Sequence, residues 1–149
     1  MNQNNKGFTV IELMAVVAIV SILTVIALAV YSDYVVRSKV AEAMGFAAEA
    51  RTAVSGYYYT ERKMPVSNSQ AGLVPPEEYG RFDNIRRIEI VTRPKPGTIE
   101  ITFRLVGTKA DNKLLQLVPS TLNEIVFWTC RPPTVNGIDV NQVPPNCRG

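Results

Sequence analysis

The residue with the most chemical consequence in this chain is Glu12, the one ionisable side chain in an otherwise apolar run from Phe8 to Val30. A carboxylate inside a membrane-length segment costs about 2.5–3.5 kcal/mol on insertion scales, so it marks a functional position by default. Its rival reading is a carboxylate near the interface that reaches out to water. A functional role needs a positive partner. Gly7 stands immediately before the run, and a protease cutting after it would leave a free α-amine on Phe8. Residues four apart are neighbours on a helix, so Glu12 could serve the amine of its own chain or of an adjacent one. An unmatched buried carboxylate is heavily penalised, so such a pair would set the axial register between chains. The other reactive pair is Cys130 and Cys147. In an exported domain two such cysteines are a natural disulfide, contributing about 3 kcal/mol in the chain-entropy account.

Catalysis has few instruments here. The chain has no His, which removes the commonest general base and metal ligand. It has no Cys/His cluster, no G-x-S-x-G and no G-x-x-x-x-G-K-[ST], so no catalytic residue, no metal and no cofactor is expected. A net charge of +3 demands no acidic partner.

The elements that position Glu12 follow from hydropathy. Phe8 to Val30 spans roughly 34 Å at about 1.5 Å per residue, enough to cross a bilayer core of about 30 Å. It is too long for a secretory signal, and its small residue lies before the run instead of after it. Lys6 favours keeping the leader cytoplasmic, with the large domain across the membrane. Three segments result: a leader at 1–7, a transmembrane half-helix at 8–30 and a globular domain at 31–149. The helical pattern continues past Val30, with Val36, Val40, Ala43, Ala47, Ala50, Val54 and Tyr57 on one stripe and Pro65 bounding it. One helix from Phe8 to about Thr60 is predicted, apolar all round at first and amphipathic later. Pro65 to Asn84 reads as loop. Period-two alternation then predicts four short antiparallel strands: one around Ile88 and Ile90, Ile99 to Leu105, Leu114 to Val118, and Glu124 to Cys130. The predicted fold is α+β, with the amphipathic stripe covering one sheet face and a Pro-rich, cysteine-bounded tail pinned to the last strand.

The stretch K-G-F-T-V-I-E-L-M, Lys6 to Met14, resembles the leader junction of type IV prepilins. The likeness extends through Y-S-D-Y at 31–34, W-T-C at 128–130 and P-P-N-C-R at 144–148. It implies cleavage between Gly7 and Phe8, N-methylation of Phe8, an assembly role for Glu12 and a Cys130–Cys147 bond bounding the C-terminal region of a type IVa pilin. The function it implies is a major subunit of a surface fimbrium, a helical homopolymer serving adhesion, twitching motility, DNA uptake or biofilm formation. The implied partners are further copies of the chain, the inner membrane before assembly, the prepilin peptidase, the assembly machinery, and a surface receptor or DNA. The rival readings are a type II secretion pseudopilin and, from another class, a bitopic membrane receptor or enzyme. Two positions depart from the family pattern: Ala29 stands where a helix-breaking Pro is frequent, and Ser21 where Gly is. Neither favours unwinding, so a more continuous helix is expected there.

Three further features carry weaker expectations. Arg81, Arg86, Arg87, Arg93 and Lys95 outweigh Asp83 and Glu89, suggesting either DNA phosphate contacts or a solvated strand face. Tyr31, Tyr34, Phe46 and Tyr57 to Tyr59 suggest either a stacked aromatic path or ordinary packing. The loop between the cysteines suggests either a receptor-binding tip or a pinned tail.

Overall fold

In the computed structural model, residues 7–148 are described, so Met1–Lys6 of the expected leader, including the orienting Lys6, lie outside them. The chain divides into two compact units, one ending at Tyr34 and one beginning at Val35.

Helix α1, Val10–Glu61, contributes to both units. In the first unit its large apolar side chains are exposed, from Val10 and Ile11 to Leu28 and Val30. By length and composition the helix can cross a membrane. The hydroxyls of Ser21 and Thr24 donate to the carbonyls of Val17 and Val20, each at 2.7 Å, so neither leaves an unpaired polar group in the apolar run. The backbone is helical throughout Ser21–Ala29.

In the second unit the predicted stripe is the buried one: Val36, Val40, Ala43, Ala47, Ala50 and Val54 are each at most 1% exposed, while Tyr57 is half-buried. Three alanines, Ala43, Ala47 and Ala50, stand in succession between valines along it, which lets the helix lie close on the sheet. The sheet is an antiparallel meander of β1 Ile85–Val91, β2 Thr98–Phe103, β3 Leu114–Leu122 and β4 Ile125–Arg131, in that spatial order. Ile85, Ile88, Ile99, Ile101, Phe103, Leu115 and Leu117 join the stripe in one core.

Four local departures from expectation have physical causes. The helix starts two residues late, at Val10, because Thr9 caps it. β3 extends past Val118 through Pro119, a residue that cannot donate to a ladder. The β2–β3 pairing has already ended at Ile99↔Leu117, so the missing N–H removes no bond on that side. Asn123 and Glu124 both take positive φ, 49° and 65°, and form the two-residue turn that pairs Leu122 with Ile125. Such a turn matches strand twist, so β4 begins after Glu124. Finally, the loop at 65–84 contains a short 3₁₀ helix, Pro76–Arg81, nucleated by Pro at its start. Its Tyr79 enters the core.

The sheet face away from α1 is drier than alternation implies. Thr98 and Thr102 are buried and Glu100 is half-buried, accepting a 2.8 Å bond from Gln116 Nε2. After β4 the tail returns beside β3: Leu114 N donates to Asn136 O and Ile138 N to Leu114 O. The Cys130–Cys147 disulfide fixes the tail's far end to β4.

Candidate functional site

The first turn of α1 is organised by a reciprocal cap. Glu12 Oε2 accepts from the Thr9 backbone N at 2.9 Å and from Thr9 Oγ1 at 2.7 Å, and Thr9 Oγ1 in turn accepts from the Glu12 backbone N at 3.4 Å. Threonine at the N-cap and glutamate three residues on form a capping box, which satisfies donors that a helix start otherwise leaves unpaired. The carboxylate also lies at the positive end of the helix dipole. In an apolar surrounding these two bonds are what makes Glu12 tolerable.

The expected pairing of Glu12 with a Phe8 amine has no counterpart in this uncut chain, where the Phe8 nitrogen is a peptide amide and both hydrogen bonds to Oε2 come from Thr9. The sequence reading missed Thr9. Its signal is plain in retrospect, since Thr9-x-x-Glu12 before an apolar run is the written form of a capping box.

The cap also places the junction. Gly7, Phe8 and Thr9 lie outside the helix, and Phe8 is 84% exposed. Its chain neighbours aside, no described residue lies within 4 Å of where a side chain on Gly7 would start. The peptide bond between Gly7 and Phe8 therefore lies outside the helix.

The remaining candidates are distributed. Arg81 pairs with Glu78 at 3.8 Å and Arg87 with Glu89 at 3.3 Å, while Arg86, Arg93 and Lys95 are exposed. Phe46 stacks on Phe82 with centroids 4.0 Å apart, and Tyr58 meets Tyr59 edge-on at 5.9 Å. These are local packing pairs. The cysteine-bounded tail holds a 3₁₀ turn whose Asn141 carbonyl accepts from Arg37 at 2.6 Å, tying the tail to α1.

Residues 36–148 match the family model described as Pilin (bacterial filament), and residues 2–28 match the prokaryotic N-terminal methylation motif. The chain is 33% identical to a type IV major pilin protein PilE1 of Neisseria gonorrhoeae, over 99% of this chain and 96% of that one. It is 33% identical to the fimbrial protein EcpC of Eikenella corrodens, over 99% and 94% respectively. A type IV major fimbrial protein FimA of Dichelobacter nodosus is 39% identical over 55% of this chain and 52% of its own.

Proposed function

The chain belongs to the pilin family and is a structural subunit of a type IV pilus, and on that footing we propose how its residues are processed and assembled. The leader is removed between Gly7 and Phe8 by a prepilin peptidase and the new Phe8 amine is N-methylated. The segments are a leader at 1–7, a filament-core half-helix at 8–30 and a globular domain at 31–149. The single observation that carries this reading is the capped carboxylate of Glu12 at the head of a half-helix whose large apolar side chains are exposed.

That half-helix has two suitable solvents. Before assembly it is held in the inner membrane, with lipid around it. In the fibre, copies of the same half-helix surround it. Both are similarly apolar, so transfer from one to the other is nearly balanced and reversible. The polar event decides the register. In the membrane Glu12 is satisfied by Thr9. In the fibre it meets the Phe8 amine of an adjacent subunit, a contact between two ionised groups, whereas the cap bonds it replaces are charged on the Glu12 side alone. A head-to-tail contact of this kind does not close on itself and yields a helical fibre.

The role is structural and not catalytic. The globular domain is displayed extracellularly, where the Cys130–Cys147 bond persists. Adhesion, twitching motility, DNA uptake and biofilm formation are the uses that such a fibre serves, with a surface receptor or DNA as partners of the displayed domain. The test is the mass and N-terminal sequence of the sheared extracellular protein. The expected chain begins with methylated Phe8 and is two hydrogens lighter for the cystine. A mature fibre subunit that retains Met1–Gly7 contradicts the reading.

A further inference from the structure

At the end of α1, β3 outruns its neighbour: the last β2–β3 pair is Ile99↔Leu117, whereas β3 continues to Leu122. A cleft of about 580 Å³ opens there, between Tyr58 in the last turns of α1, Pro96 of the β1–β2 turn and Pro119–Thr121 of β3. That volume lies in the range of ligand sites. Tyr58, Met64, Pro96 and Pro119 give it apolar walls, and Ser120 and Thr121 add hydroxyls. Its rim is cationic, with Arg62, Lys63 and Lys95. Arg62 is committed to Glu124 at 2.9 Å, but Lys63 and Lys95 are exposed and form no ion pair among the described residues.

We propose that this cleft binds an anionic saccharide, a sulfated or carboxylated sugar presented on a surface. The two uncommitted ammonium groups fix the sign of the ligand's charge. Tyr58, Pro96 and Pro119 offer the flat apolar surface that the C–H face of a sugar ring covers, and hydroxyls that both donate and accept suit ring hydroxyls. Two other classes fit worse. A nucleic acid strand needs a track of cations with successive stacking platforms, and the cleft holds one tyrosine. An acidic peptide adding to the free edge of β3 would meet Pro119, which has no N–H, within a very short stretch. The proposal rests only on display of the globular domain on a pilus, and is independent of how Glu12 acts.

The test uses sheared pili and two probes, a heparin-derived hexasaccharide and a neutral isomaltohexaose, titrated at physiological ionic strength. Saturable binding of the sulfated probe is expected, with the neutral one at least ten-fold weaker. Lys63→Gln/Lys95→Gln pili should form in wild-type numbers and bind the sulfated probe at least ten-fold more weakly. An Arg86→Gln/Arg131→Gln pair removes equal charge elsewhere on the domain and should change binding less than two-fold. Equal losses from both pairs would reduce the effect to diffuse basic charge and overturn the proposal. So would absence of binding to pili, or tighter binding of a single-stranded oligonucleotide through the same lysines.

Discussion

At the scale of single residues, buried polar groups carry the sharpest consequences. Asn68 is 5% exposed and sews the loop after α1 to β1. Its Nδ2 donates to Val74 O at 3.0 Å and to Ile88 O at 2.9 Å, and its Oδ1 accepts from Ile90 N at 2.8 Å. Asn68→Ala strands three backbone groups in the core, so a loss of about 3 kcal/mol is expected in chemical denaturation of the solubilised chain. A loss under about 1 kcal/mol would mean that water reaches those groups. Tyr79 is 2% exposed, and its hydroxyl is buried without a hydrogen-bond partner among the described residues. Burial, reinforced by the Glu49 carboxylate and opposed by Arg81, raises its pKa above the ordinary 10.0. The neutral phenol is thus the folded form. Its contribution to stability is complete below pH about 10 and is lost as pH climbs through the raised folded value. Tyr79→Phe should flatten that alkaline decline in a pH series of thermal melts, and an unchanged decline would assign it to other groups. Neither residue announced itself in the sequence. An asparagine in an S-N-S run reads as loop, and a tyrosine after P-P-E-E reads as surface, because what buries them is tertiary.

At the scale of elements, legibility followed periodicity. The stripe from Val36 to Val54 was readable because steps of three and four leave few alternatives, and all six positions are buried. Strand centres were readable for the same reason, through Ile99, Ile101 and Phe103. Strand ends were not, since Pro119 continues β3 only because β2 has already stopped beside it, a fact of register. The dry outer face was equally hidden, for it depends on a tail whose return is set by tertiary contacts. Helix α1 yields an expectation of its own. With neither proline nor glycine between Ser21 and Ala29, the helix lacks no backbone hydrogen bond there and carries no glycine entropy cost. A filament reconstruction should show continuous helix across Ser21–Ala29. Melted backbone in that interval would mean that packing in the fibre outweighs about one residue's intrinsic helix preference per position unwound.

At the scale of the whole molecule, the chain combines a well-packed globular unit with an apolar half-helix whose large side chains are exposed. The second feature makes the chain a subunit, since that surface must be covered by lipid or by copies of itself. Hydrophobicity drives the association but cannot choose its register, because apolar contact is non-directional. In the proposed fibre the register falls to Glu12. Its type and place were visible in the sequence, while its dependence on Thr9 was not. The capping box and the proposed intersubunit pair also make different demands on this residue: glutamine can serve the cap, whereas only a carboxylate can pair with an amine. The most direct measurement is therefore a count of surface pili from cells carrying Glu12→Gln as their sole pilin, with processing and membrane levels matched to wild type. Loss of at least nine-tenths of the fibres, with normal cleavage after Gly7, is the expected result. Wild-type numbers of fibres would show that Glu12 acts only as a helix cap, and would contradict the account.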